Sequence, residues 1–295
     1  MTPSVLRLLA PCKFNLYLDV LSRRPDGYHE VITVMEPLDL ADVLVLEPAG
    51  AGITVTADRD DVPDGPGNLA YRGLELLRRR LGVAAGIRVS IGKRIPAAAG
   101  LGGGSSDAAA ALAGACRLWG LPPPPGLLEE ICAELGSDPA FFLHPATSLC
   151  RGRGEAVAPL PPAPPLQAVL VNPGAPLPTA WAYGEIDRLP PRRPPGVEPL
   201  LAALEGGDLE ALARSIYNVF EEVARRHRPD VVEVIDFLRG RLELGAVLAG
   251  SGATVVGLAR SREEAEAVGR EARRALGPSV FVAVASNRVP PPVSG

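Results

Sequence analysis

The chain has 295 residues, 47% of them apolar and 22% charged, with a formal net charge of -4. That length suits one large or two modest domains, each with a real core. The acidic balance argues against nucleic acid as a partner, and no apolar run approaches the length needed to cross a bilayer or to make a membrane partner. The opening MTPSVLRLLAPCK holds an apolar patch too short for a secretion signal and no small-residue cleavage site, so a cytoplasmic protein is expected.

Residues 5–21 read as a strand, a break at Pro11 and a second strand. From Lys13 the alternation has period two, which puts Lys13, Asn15, Tyr17 and Asp19 on one face and Phe14, Leu16, Leu18 and Val20 on the other. Only two of the 30 basic residues are lysines, Lys13 and Lys93. A chain that uses arginine elsewhere marks these two as places that need a compact ammonium. Pro25-Asp26-Gly27 is a turn that presents Tyr28 and His29 at the edge of the next strand, either as an exposed hairpin or as an aromatic face for a base or ring. Residues 31–46 and 53–57 are further strands. Asn68 caps a helix that stops at Gly82, and IRVSI at 87–91 is a strand leading through Lys93 into a glycine loop.

That loop is the centre of the chain. In PAAAGLGGGSSDAA, starting at Pro96, four glycines fall at Gly100, Gly102, Gly103 and Gly104. Such density makes sense where backbone must approach something closely. A helix follows, with Ser105 or Ser106 placed to cap it and Asp107 favourable in its first turn. Its apolar residues over 108–118 keep to no single stripe, so it should be buried. A glycine loop feeding a helix N-terminus is an anion site, because free N–H groups and the helix dipole point outward together. No lysine follows the glycines as in GxxxxGK[ST], and the third glycine of GxGxxG is out of register, so two common nucleotide motifs are excluded.

After PPPP at 122–125, GLLEEICAEL is a helix ending at Gly136. Ser137-Asp138-Pro139 starts another helical turn, with Asp138 between apolar stretches where full solvation is not expected. RGRGE at 151–155 is a turn and PLPPAPP at 159–165 the clearest linker, which divides the chain into domains 1–160 and 161–295. Beyond it come a strand, LQAVLV; the segment PTAWAYGEID, with Thr179, Trp181 and Tyr183 at alternate positions; and PPRRPP at 190–195, a stiff spacer. Three helices are predicted over 197–205, 208–226 and 230–241, then a strand, a glycine hairpin through Gly250-Ser251-Gly252-Ala253, a strand, a helix over 261–276 and a last strand over 279–285, before a short Pro-rich end. This half is α+β, with antiparallel strands backed by helices. Cys12, Cys116, Cys132 and Cys150 form no CxxC pair and no metal spacing, and reduced buried thiols are expected.

Three separated segments resemble the GHMP kinases: PCKFNLYLDVLSRRPDGYHEV at the N-terminal motif, PAAAGLGGGSSDAA at the ATP loop and LGSDPAFFL at the catalytic aspartate, with GSGA at 250–253 similar to a third motif. The resemblance implies an α+β, two-domain fold: an N-terminal mixed α/β domain like domain 2 of ribosomal protein S5, a ferredoxin-like C-terminal domain, and the active site in the cleft between them. PDGYH is similar to the part that holds a cytidine in one branch of the family. That branch implies transfer of the ATP γ-phosphoryl group to the 2-hydroxyl of a methylerythritol cytidyl diphosphate in non-mevalonate isoprenoid synthesis. Carried over residue by residue, Asp138 is the base and Lys13 lies beside it. ATP is held by Pro96, Ala97, Ala98, Ala99, Gly100, Leu101, Gly102, Gly103, Gly104, Ser105 and Ser106, with Asn68 at the adenine. Substrate meets Asn15, Tyr28, His29, Thr179 and Tyr183. Mg²⁺ is expected with ATP, held by phosphate oxygens and water and no dedicated protein site, and the chain is expected to be a monomer or weak homodimer. Cys12 stands where the family usually has alanine, and Pro139-Ala140 replaces a usual Val-Pro order. The alternatives are a GHMP kinase of homoserine or mevalonate type, and a nucleotide-binding module without turnover.

Overall fold

The computed structural model describes residues 5–175, 177–190 and 192–289. Pro191 of the PPRRPP spacer and the Pro-rich end at 290–295 lie outside the described residues. Two long strands, β1 (Leu6–Arg23) and β2 (His29–Ala49), form the antiparallel spine of the first sheet. Then follow β3 (Ile53–Ala57), α1 (Leu69–Leu81), β4 (Gly86–Gly92), α2 (Gly103–Trp119), α3 (Leu127–Leu135), β5 (Ser148–Arg151) and β6 (Ala156–Pro159). The second half holds β7 (Gln167–Asn172), α4 (Thr179–Ile186), α5 (Glu198–Gly206), α6 (Leu209–Ser215), β8 (Tyr217–Asn218), α7 (Phe220–His227), α8 (Pro229–Arg239), β9 (Ala246–Leu248), β10 (Val255–Ala259), α9 (Arg262–Ala275) and β11 (Phe281–Ser286).

The first sheet runs β3-β4-β2-β1-β8, with β5 and β6 hung on the other end of β2. Helices α1, α2 and α3 cover it around Leu44, Leu46, Leu74 and Leu112. The second sheet is antiparallel, as expected of this half, in the order β11-β7-β10-β9. Among the described residues no helix is long and apolar enough to cross a membrane. The PLPPAPP segment does join the two sheets, but cores cross it: Phe14, Leu16 and Tyr17 of β1 pack in one cluster with Leu166, Leu170 and Val256.

Four readings are corrected. Pro11 does not break the strand, because the ladder skips from Pro11↔Ala41 to Cys12↔Leu38 and the irregularity absorbs the missing N–H. The alternation of β1 does not hold through to Val20. Leu16 is an extra residue between Asn15↔Met35 and Tyr17↔Val34, so the parity flips and Leu18, not Tyr17, follows Asn15 along the cavity. The helix predicted over 208–226 is interrupted. Tyr217 and Asn218 run parallel to Tyr17 and Leu18, and Asn218 Nδ2 donates to the carbonyls of Leu248 and Gly250 (2.7 and 2.8 Å). Finally, neither serine caps α2. Gly102 takes the N-cap in the left-handed region (φ 73°), so the glycines themselves begin the helix and Asp107 falls beyond its first turn.

Candidate active site

Strand β4 delivers the chain to a loop that turns through positive φ at Ala98 (49°), Gly100 (82°) and Gly102 (73°). Gly103, Gly104 and Ser105 then open α2, where N–H groups lack an intrahelical acceptor and face outward with the dipole. The glycines answer to specific neighbours. A Cβ on Gly100 would lie 2.0 Å from the Ala249 carbonyl oxygen, and one on Gly102 would lie 2.8 Å from Phe142 and 3.3 Å from Lys13 Cε. The backbone here therefore passes between the second-half hairpin and the Lys13 side chain, with no room for a methyl group.

This loop walls a cavity of about 630 Å³. Lys13 and Asn15 reach it from β1, Asn68 and Pro96 to Gly100 from one side, Gly102 to Ser105 from the helix mouth, Asp138 from the turn after α3, and Thr179 and Tyr183 from α4. Leu101 and Ser106 are buried behind it; the Leu101 carbonyl accepts from Lys13 N (3.0 Å), and Ser106 N donates to the Gly102 carbonyl. Tyr28 and His29 do not line the cavity. Tyr28 is exposed on its hairpin under the Arg153 guanidinium (4.8 Å), and His29 stacks on Tyr183 (4.9 Å, 30°) while bonding Asp187 (2.9 Å).

Lys13 Nζ stands 3.5 Å from Asp138 Oδ2. The lysine is buried, whereas the carboxylate side chain keeps 30% of its surface open to the cavity. Asp138 does not cap the 3₁₀ turn it begins, so its oxygens are not spent on the backbone. Asn15 Oδ1 accepts from Lys13 Nζ (3.1 Å) and from Gly250 N (2.9 Å). Thr179 and Tyr183, one helical turn apart on α4, face the cavity together, while Trp181 points away and is exposed. Thr179 Oγ1 lies 3.2 Å from Ser251 Oγ. Burial, with the Asp138 charge behind it, pushes the Tyr183 hydroxyl far above its usual range, so the ring enters the site neutral. Asn68 caps α1 through Ala70 N and donates to the Pro63 carbonyl, both at 2.9 Å.

Sequence reasoning missed what holds the loop. Lys93 is buried between Asp42 and Asp107, bonded to the first and 2.7 Å from the second, while Asp42 Oδ1 accepts from Arg94 N and Ile95 N. Burial opposes charge on Lys93, but the two carboxylates outweigh it and hold its pKa above the ordinary value. Burial raises the Asp107 carboxyl above its ordinary value, with Lys93 opposing and Asp42 adding. The rarity of lysine singled out Lys93, but no local pattern pointed to partners 51 and 14 residues away. Arg153 and Ser251 also line the cavity; the sequence showed them only as members of a turn and a hairpin.

The model of the GHMP kinases N terminal domain matches residues 68–145, and that of the GHMP kinases C terminal domain matches 200–279. A 4-diphosphocytidyl-2-C-methyl-D-erythritol kinase of Pelotomaculum thermopropionicum is 42% identical over 278 residues, 92% of this chain and 94% of that protein. The chain belongs to the GHMP kinases, in their 4-diphosphocytidyl-2-C-methyl-D-erythritol kinase branch. A second such kinase, from Geobacillus thermodenitrificans, is 43% identical over 86% of this chain and 88% of its own length. A crystal structure of 4-(cytidine 5'-diphospho)-2C-methyl-D-erythritol kinase superposes with a TM-score of 0.78 at 37% identity, covering 95% of this chain and 99% of that one. Homoserine kinase of Cytophaga hutchinsonii shares the fold of this GHMP kinase at 19% identity (TM-score 0.74, 99% and 98% covered). The four buried cysteines are free, and among the described residues no group of three or more His, Cys, Asp or Glu side chains is arranged to hold a metal.

Proposed function

We propose that this GHMP kinase transfers the γ-phosphoryl group of ATP to the 2-hydroxyl of 4-diphosphocytidyl-2-C-methyl-D-erythritol, a step of isoprenoid precursor synthesis. The observation that carries the reading is the Lys13–Asp138 pair, 3.5 Å apart, facing a glycine-lined helix N-terminus across one cavity. Oriented N–H groups of the loop receive the triphosphate, and position plus charge stabilisation is most of what phosphoryl transfer asks of a protein. Asp138 accepts the hydroxyl proton, the alkoxide oxygen bonds the γ-phosphorus, and the bond to the β,γ-bridging oxygen breaks to release ADP. Lys13, a point charge with N–H groups to spare, follows the negative charge as it shifts. Asn15 keeps one amide N–H for substrate, since its oxygen and its other N–H are engaged.

Asn68 retains one N–H and one lone pair for the adenine side. Tyr183, with Tyr28 and His29 at the rim and Thr179 beside it, forms the end that takes the cytidyl group. Mg²⁺ bound with ATP would neutralise phosphate charge there; the Ser105 hydroxyl at the loop mouth is a hard oxygen donor that would fit it, with phosphate oxygens and water supplying the rest of its ligands. An ADP-release assay run separately with the cytidyl alcohol, homoserine and mevalonate tests the reading. Turnover of the cytidyl alcohol alone is expected. Preferential turnover of either other alcohol overturns the substrate assignment, and no ADP with any of them overturns catalysis.

A further inference from the structure

Thr33, on β2, meets the NH₂ end of the Asn15 amide, while Lys13 and Gly250 meet its oxygen. Its side chain is buried, and its backbone is held from both sides, since β2 pairs with β1 and, at Thr33 itself, with Cys150 of β5. A threonine hydroxyl has a single proton. Thr33 Oγ1 lies 2.7 Å from the Tyr17 carbonyl oxygen, which can only accept, so the proton goes there. What Thr33 offers Asn15, 2.8 Å away, is therefore a lone pair, and the group that meets it has to be the amide NH₂. The opposite end of the amide, Oδ1, then faces Lys13 Nζ at 3.1 Å and Gly250 N at 2.9 Å. Reversing the amide would set its NH₂ against an ammonium and a backbone N–H, with three donors converging in a buried place and its oxygen against another acceptor.

We propose that Thr33 is a positioning residue for phosphoryl transfer: by fixing the Asn15 amide, it holds Lys13 beside Asp138 and ties the Gly250 turn of the second half to the first motif. This rests on the kinase reading of Lys13 and Asp138. Gly250 is gripped from its other side as well, because its carbonyl accepts from Asn218 Nδ2 (2.8 Å). The hairpin that touches the phosphate loop at Gly100 is thus registered to Lys13 through one amide oxygen.

The test is Thr33→Val, which keeps the shape and removes both the lone pair and the proton, beside Thr33→Ser, which keeps both. Losing the order of a hydrogen bond to a charged group should lower kcat by about 10- to 100-fold in Thr33→Val, with KM for ATP within about twofold. Thr33→Ser should recover kcat to within about threefold of the parent. Asn15→Asp supplies the decisive background. A carboxylate presents oxygen to Lys13 whichever way it lies, so adding Thr33→Val to Asn15→Asp should cost less than about threefold more. A parent-like kcat in Thr33→Val, failure of the serine to restore it, or an equal loss in both backgrounds overturns the proposal. Should the valine variant not fold, Thr33→Ala carries the same comparison. Independently of turnover, the Asn15 side-chain NH₂ signals in NMR should be shifted and slow to exchange in the parent and lose both features in the variant. Signals unchanged by the substitution overturn the relay, while an inactive parent enzyme sinks the kinase reading and leaves the relay to be judged on those signals.

Discussion

Among the described residues, Asp138 is the one carboxylate that meets Lys13 and still opens onto the cavity. Replacing it with asparagine keeps the size, removes the proton acceptor and leaves the Lys13 charge without its partner. We expect Asp138→Asn to lower kcat by about 10³-fold, the scale of a lost general base, while ATP affinity by calorimetry moves less than about threefold, because the loop amides grip the phosphates. A parallel fall in ATP affinity would count against its role as base. Glu36 is a buried carboxyl that the chemistry does not use. Burial outweighs the hydrogen bonds from Thr147 and Asn287 and raises it to about 7. In the folded protein it prefers to be neutral, so its favourable contribution is complete below about pH 4.5 and is lost as pH rises through about 7. The difference amounts to about 3 kcal/mol between those limits at the usual 1.36 kcal/mol per unit. Urea unfolding from pH 4.5 to 8 should show Glu36→Gln gaining on the parent through that window and holding its lead above it. A constant difference across the range would refute the assignment.

Among the elements, the glycine loop and the hairpin between β9 and β10 depend on each other. Gly100 sits at φ 82° with the Ala249 carbonyl where a methyl would go, and a Cβ on Gly250 would come within 3.0 Å of the Gly100 oxygen. Gly100→Ala incurs both the left-handed penalty of about 1–2 kcal/mol and a collision between backbones that neither can relieve by a rotamer change. ATP affinity should drop by at least about tenfold with the circular dichroism of the helices retained, and unchanged affinity would mean the two loops are not in register. The order strand, glycine loop, buried helix was legible before the structure, because β4 and α2 announce themselves by local pattern. So was the shared direction of Lys13 and Asn15, which lie before the bulge at Leu16. Leu18, beyond that bulge, faces opposite to what the alternation implies, since an unpaired residue leaves no mark on composition. Tyr217 and Asn218 carry a helical pattern for the same kind of reason: their strand exists only because Tyr17 and Leu18 are there to pair with. Thr179 and Tyr183 stand at alternate positions with Trp181 in the sequence, but it is their four-residue spacing on α4 that brings them together.

The molecule as a whole folds its two sheets over shared cores. One cluster joins β1 to β7 and β10, and a second joins Leu18, Val20 and Val31 to Val171, Phe220 and Leu248. The first sheet takes β8 from the far half as its edge strand, and Asn287, beyond β11, donates to Glu36 (2.9 Å). Removing the second half would expose Phe14, Leu16 and Tyr17, and removing the first would expose Leu170 and Val256 packed against them; burial of such side chains is a main source of stability at about 25 cal/mol per Å² of apolar surface. Independent unfolding of the halves is therefore disfavoured, and a single cooperative transition is expected. The chain carries its own reporters, since its two tryptophans are Trp119, at the end of α2 in the first half, and Trp181, on α4 in the second. Trp119→Phe leaves fluorescence from the second half, and Trp181→Phe leaves it from the first. Each variant's urea transition by fluorescence should coincide with its own far-ultraviolet dichroism within about 0.2 M. A fluorescence midpoint that parts from dichroism in either variant would mean that the bipartite cores yield separately. The cleft would then owe its geometry to ligand rather than to packing.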